Sequence, residues 1–199
     1  MNASVSGSVA DLVELGPLLW QELVRASQEP RHEWRQATLA TVCAVDGPQA
    51  RTVVLREVEE RTRTLLVYTD TRSPKVAQLR ADPRAQLVCW SRALGWQLRL
   101  RCRVEVRADG LDVSSRWARL RHTPSAQDYL SPQAPGTPLW LAAPADPAGA
   151  MSAGEVRAHF AVMRLQVLEM DWLELAAGGH RRAVFDCRDA EMAARWCVP

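Results

Sequence analysis

Alternation of apolar and polar residues runs through the middle of the chain. In WQLRLRCRVEV (96–106), Trp96, Leu98, Leu100 and Cys102 fall on one side and Gln97, Arg99, Arg101 and Arg103 on the other, the pattern of a half-buried strand. The same reading predicts strands at QATLATVCAV and ARTVVLREV, joined through Asp46 and Gly47 as a hairpin, and at RTLLVYT and RAQLVCWS. Later, HFAVMRLQVLEMDWLEL is strand-like, AGGH predicts a turn, and RRAVFDC and AARWCVP would finish the sheet.

Helical spacing is confined to short stretches. Residues 8–27 predict a helix covering one face of the core, in two pieces because Pro17 interrupts it. Ser73 as N-cap, Pro74 at the first helical position and Pro83 as terminator predict a short helix over 74–82. Residues 110–121 predict another, and HTPSAQDYL (122–130) a shorter one. The Ala- and Pro-rich stretch 133–150 predicts a surface excursion or lid. Many antiparallel strands with a few inserted helices predict a mainly β fold, a small barrel with helical additions. One domain is expected, with residues 1–34 a helical segment packed on a barrel of residues 35–199.

Composition narrows the function classes. The 199 residues carry a formal net charge of +2 with 47% hydrophobic residues, which argues against disorder and against a strongly basic nucleic-acid binder. An Arg99, Arg101, Arg103 stripe beside Trp90 or Trp96 could still grip a single strand, but Glu105 and Asp109 interleave with it. A secretory leader and an 18-residue apolar run are both missing from the pattern, so a cytoplasmic protein without membrane contact is expected. Cys43, Cys89, Cys102, Cys187 and Cys197 form no CxxC pair, and His32, His122, His159 and His180 form no ligand pair, so no metal is expected.

One residue departs from the bias of the chain. Lys75 is the single lysine among 25 basic residues, and it falls in the first turn of the helix predicted after Ser73. Unpaired N–H groups and the helix dipole favour an anion there, so a cation at that end suggests a bound phosphate.

Several short blocks then line up. RTVVLR (51–56), YTDTRSPK (68–75), WQLRLRC (96–102), SPQA (131–134) and DW (171–172) followed by HRR (180–182) resemble, in order and spacing, the pyridoxamine 5'-phosphate oxidase-like FMN-binding split-barrel family. The resemblance covers roughly residues 35–199 and implies an antiparallel split β-barrel, FMN as cofactor, and a homodimer with cofactor sites at its interface. It places Arg51 at the FMN phosphate, and Thr52, Val53, Val54 and Leu55 beside the flavin ring. Tyr68 and Thr69 match the strand-end pair at the phosphate and ribityl chain, Lys75 matches a cofactor lysine, and Arg72 and Ser73 lie near enough to assist. Gln97, Gln133, Trp172 and Arg182 match further flavin contacts, the last two from the second subunit. The residues do not separate FMN from a related flavin or a deazaflavin.

The resemblance is less complete for the substrate. Matching places Arg56, Trp117, Arg121 and Ser125 at a substrate phosphate, with Trp117 where the family has a tyrosine. Near the C-terminus His180 matches a ring-facing histidine, but Gly178 stands where an arginine is expected. The chemistry implied is hydride transfer from a small-molecule substrate to flavin, for which no protein nucleophile is needed and none is predicted. A flavin-binding or sensing protein without turnover is the alternative that Trp117 and Gly178 leave open.

Overall fold

The computed structural model describes residues 11–129, 131–141, 157–189 and 191–199. Eight strands form where the alternation predicts them: β1 (Gln36–Cys43), β2 (Gly47–Glu59), β3 (Thr64–Asp70), β4 (Arg84–Ser91), β5 (Trp96–Arg107), β6 (Phe160–Glu174), β7 (Arg181–Asp186) and β8 (Ala193–Cys197). Their order is β3-β2-β1-β4-β5-β6-β7-β8, antiparallel throughout, and β3 also pairs with β6. The first six in that order therefore close into a barrel, which removes the exposed edges an open sheet would leave. β7 and β8 extend the sheet beyond the closure.

Two bulges shape this barrel. Leu55 pairs with Val67 but Glu57 pairs with Leu66, so Arg56 is an extra residue on β2. Arg101 pairs with Glu169 but Cys102 pairs with Val167, which makes Leu168 the extra residue on β6. Each bulge reverses the inward and outward faces of its strand. Before Leu168, β6 closes on β3 through residues 160–166; after it, residues 169–174 carry β7.

The barrel interior is filled by the inward residues of every strand, among them Leu39, Leu55, Leu87, Leu98, Leu100, Leu165 and Met170. Helix α1 (Leu12–Gln28) adds Leu15, Leu19, Trp20 and Leu23 to the same core. It is one helix and not two pieces, and the first residues of the predicted span, 8–10, lie outside the described residues. Pro17 removes one backbone bond, to the carbonyl of Val13, a residue that is 76% exposed, while the buried leucines hold the helix against the barrel.

A second, smaller core explains why β3 is buried on both faces. Leu66, Phe160 and Val162 face away from the barrel and are covered by Val113, Trp117 and Leu120 of helix α3 (Gly110–Leu120) and by Tyr129. Tyr129 ends a 3₁₀ turn over Pro124–Tyr129, where the shorter helix was expected. Helix α2 (Pro74–Ala81) follows β3 with Ser73 as its N-cap. Gly95 in the β4–β5 turn has φ +67, and a Cβ there would stand 2.9 Å from the carbonyl oxygen of Leu175, so this turn requires glycine. The excursion expected over 133–150 is described only as far as Leu141, and the rest lies outside the described residues.

Candidate functional site

The N-terminal end of α2 brings two cations together. Lys75 Nζ donates to Ser73 Oγ at 2.7 Å, so the hydroxyl that usually caps a helix is turned toward the ammonium. Arg51 lies on the inward side of β2 at the barrel mouth, beneath α2, where its guanidinium donates to the carbonyls of Leu39 and Gln49, to Thr41 Oγ1 and, at 3.1 Å, to Gln78 Oε1. Thr41 in turn donates to Gln78 at 2.6 Å. Both cations hydrogen-bond to neutral oxygens, whereas the arginines elsewhere are widely paired with carboxylates. Burial, and then the nearby Arg51 charge, lower the Lys75 ammonium below its ordinary pKa, with Asp70 pulling the other way. Burial likewise lowers that of Arg51. Two cations held this close, with Asp70 the carboxylate acting on Lys75 and already gripped by Arg72, form a receptor for an anion.

From this end an open cleft of about 230 Å³ runs along β2 and β3, lined by Thr52, Val53, Val54, Arg56, Tyr68, Thr69, Asp70, Lys75, Tyr129 and Pro135. Alternation turns Thr52 and Val54 outward into it, while Leu55 is fully buried in the barrel, so only the main chain of Leu55 is placed toward the cleft side. The bulge then re-aims Arg56, whose guanidinium stands 5.7 Å from the centre of the Tyr68 ring and 3.5 Å from Ser125 Oγ. Tyr68 donates its hydroxyl to Glu57, and burial followed by that carboxylate pushes the phenol far up in pKa. Arg116 holds Glu57 through two bonds of 2.9 and 3.0 Å.

A strap closes the α2 end of the cleft. Arg72 pairs with Asp70 and also donates to the carbonyls of Ser131 and Pro132, both at 3.0 Å. Its guanidinium is thus committed to the chain rather than aimed at a ligand. The strap places Pro135 on the cleft and Gly136 against Pro74, with Gln133 bonded locally to Ser131.

The remaining predicted residues lie elsewhere in the same protomer. Arg182 on β7 holds Asp171 on β6 through bonds of 2.9 and 2.8 Å, and Arg99 on β5 binds the same carboxylate. Gln97 shares that outer face, one register step away, paired with Trp90 and Leu173. The Trp172 side chain points inward, fully buried between Trp96 and Trp196, so its indole is not offered to a ligand at the surface. Trp117 is likewise packed in the second core against Phe160 and Tyr129 and lines no cleft wall directly. Arg121 and His180 are exposed, and Arg121 bonds to His122. The arginine stripe is neutralised in part, Arg99 by Asp171 and Arg101 by Glu169, and Trp96 is buried beneath it.

Sequence reasoning missed Thr41 and Gln78, which position Arg51, and Tyr129 and Pro135, which line the cleft. Gln78 carried a signal, since it lies three residues after Lys75 on one helix face. Thr41 carried one too, because Thr41 pairs with Gln49 one inward step from the Leu39–Arg51 pair. Two larger clefts, of about 450 and 570 Å³, involve none of the residues expected to hold cofactor or substrate.

This arrangement, an antiparallel split barrel with a cationic cleft beside its β3–α2 turn, defines the class of protein. Residues 17–108 match the family model of the pyridoxamine 5'-phosphate oxidase FMN-binding domain, a span from α1 through β5 that holds Arg51, Lys75 and Gln97. A pyridoxine/pyridoxamine 5'-phosphate oxidase of Bordetella avium is 36% identical over 123 residues, 56% of this chain and 57% of that protein. One of Thermosynechococcus vestitus is 45% identical over 69 residues, 34% of this chain and 31% of that protein. The chain therefore spans less than two thirds of the length of these curated relatives. A pyridoxamine 5'-phosphate oxidase-related, FMN-binding protein of Nostoc punctiforme shares the fold with TM-score 0.68 at 24% identity, over 92% of this chain and 96% of that one. PhzG of Burkholderia lata, solved with tetrahydrophenazine-1-carboxylic acid, does so with TM-score 0.71 at 18% identity, over 99% and 100%. The family model, the curated relatives and the solved structures all point to the pyridoxamine 5'-phosphate oxidase-like FMN-binding split-barrel family.

Proposed function

We propose that the protein is a cytoplasmic, homodimeric FMN-dependent oxidoreductase that takes hydride from a small-molecule substrate. The observation that carries this reading is the Arg51–Lys75 pair, two neighbouring cations hydrogen-bonded to neutral oxygens. A phosphate monoester carries nearly two negative charges, and these residues with Ser73, Thr69 and the start of α2 match it in charge and in donors. Thr52, Val53 and Val54, with the main chain of Leu55, would flank the flavin ring, and Tyr68 would close its far side. Bound FMN would supply the hydride acceptor, leaving the protein to bind, orient and exclude water.

Arg182 and Gln97 lie on the β5–β6–β7 outer face, strands away from the cleft, so their role at a cofactor requires a second copy. In this reading Asp171 presets Arg182 for that contact, while Trp172 supports the strand from inside the barrel. Arg56 and Ser125 would receive the substrate's anionic group. Among the described residues no helix is long and apolar enough to cross a membrane.

Titration of the purified protein with FMN, followed by pyridoxine 5'-phosphate without dioxygen, tests the proposal. Flavin bands that perturb on binding and bleach on addition are expected of an oxidase of this substrate. Bands that stay oxidised would favour the flavin-binding reading without turnover, which the burial of Trp117 and the exposed turn at Gly178 support. Failure to take up FMN would overturn the cofactor assignment, and a monomeric mass of the FMN-loaded protein in light scattering would overturn the dimer.

A further inference from the structure

The two ends of the cleft differ in charge. At the α2 end stand Arg51 and Lys75; at the other end Arg56 is the only cation among the described residues that lines the wall, and it bonds to the Ser125 hydroxyl. The neighbouring guanidinium of Arg35 is turned into the carbonyls of Ala26 and Ser27 at the end of α1. Arg121 is exposed and bonded to His122, and Trp117, buried in the second core, offers the cleft no hydroxyl. The acidic neighbour Glu57 is held by Arg116 and Tyr68.

The walls between these ends combine aromatic and aliphatic side chains with the hydroxyls of Thr52 and Thr69. Tyr68 and Tyr129 face the cleft beside Val53, Val54 and Pro135; behind them Phe160 packs edge-on against both tyrosine rings and Trp117 packs against Tyr129 and Phe160, with centroids 5.1–5.9 Å apart. Such a backing fixes the two tyrosines, so the slot is rigid rather than adaptable.

We infer that this end of the cleft takes a planar aromatic carboxylate rather than a phosphate monoester. The inference rests on the cofactor reading above, because the flavin would form the opposite wall of the slot. One guanidinium fork matches the two oxygens and single charge of a carboxylate, with Ser125 adding a hydroxyl contact. A phosphate monoester would leave several acceptor oxygens without donors at this end of the cleft. The bulge that singles out Arg56 is the device that aims this fork past the Tyr68 ring.

The test compares ligands with one ring and different anions. FMN-loaded protein is dialysed to equilibrium against 1-naphthoate, 1-naphthyl phosphate or uncharged 1-naphthylmethanol, and binding is read from naphthalene fluorescence. Naphthoate is expected to bind at least about tenfold more tightly than either of the others, with Arg56→Gln erasing that margin and Ser125→Ala reducing it severalfold. Equal or tighter binding of naphthyl phosphate, or an unchanged margin in folded Arg56→Gln, would overturn the inference. Flavin uptake is recorded separately from its own absorption bands. Should FMN not bind, the same dialysis with inorganic phosphate filling the Arg51–Lys75 end still reads the naphthoate preference, so the two readings fail independently.

Discussion

Arg72 grips the carboxylate of Asp70, two residues earlier, and with the same guanidinium holds the carbonyls of Ser131 and Pro132. A β-strand end and a distant strap are thereby joined by one side chain, and the cleft wall at Pro135 depends on that joint.

Arg72→Gln should release the strap. Amide exchange in peptides covering 131–137 is expected to accelerate severalfold, while exchange in β3 stays slow. Unchanged exchange in 131–137 would mean that the strap is held without Arg72.

Lys75 should oppose folding when no anion is bound. Its ammonium titrates below the ordinary lysine value of 10.5, chiefly because it is buried and then because Arg51 is near. The protonated form therefore costs the fold stability at neutral pH, and the cost disappears only as pH rises through the lowered pKa to that of the unfolded chain. Without FMN, Lys75→Met is expected to melt above the parent protein at pH 7, by a margin that closes near pH 10.5. With FMN added the order should invert. A Lys75→Met protein that melts lower in the absence of FMN would show that the ammonium is already compensated.

Lys75→Arg should weaken FMN binding in a fluorescence-quenching titration, since a planar fork replaces a compact point charge beside Ser73. An affinity equal to that of the parent would reduce Lys75 to a chance survivor among arginines.

Asp171 should carry part of the acid sensitivity. Burial works against its ionisation, but the bonds from Arg182 and Arg99 outweigh it and hold the carboxyl below its ordinary pKa of 3.8. That stabilisation is fully present above the unfolded value and is lost as pH falls through the depressed one. Asp171→Asn is expected to cost about 1–2 kcal/mol at pH 7, the two partly exposed arginines being screened by solvent. The difference from the parent should shrink in denaturant titrations below pH 3.8. A difference that persists unchanged in acid would assign the loss to packing instead.

Trp117→Ala should remove the backing of the cleft wall. Loss of contacts to Phe160 and Tyr129 in the second core is expected to cost about 3–5 kcal/mol in chemical unfolding. A cost below about 1 kcal/mol would mean that the second core collapses to fill the space.

Much of this architecture is local and so was legible in the chain. Strand-like runs located all eight strands, with period-two alternation clean in β5, the Ser73–Pro74 cap located α2, and Lys75 stood out because every other basic residue is arginine. Those signals act over a few residues, within reach of a pattern. Closure of β3 on β6, the covering of β3 by α3, and the clasp of Arg72 on the strap join residues far apart in sequence, and only the folded chain decided them. The bulges show the reason most directly. Strict alternation along β6 would carry the inward face of Leu165 and Val167 on to Asp171 and turn Trp172 outward. The extra residue at Leu168 reverses this, burying Trp172 and placing Asp171 between Arg99 and Arg182. At Arg56 the same device sets Glu57 and Glu59 outward and Val58 toward the core. A bulge is defined by what a neighbouring strand pairs with, and that partner is supplied by tertiary structure alone.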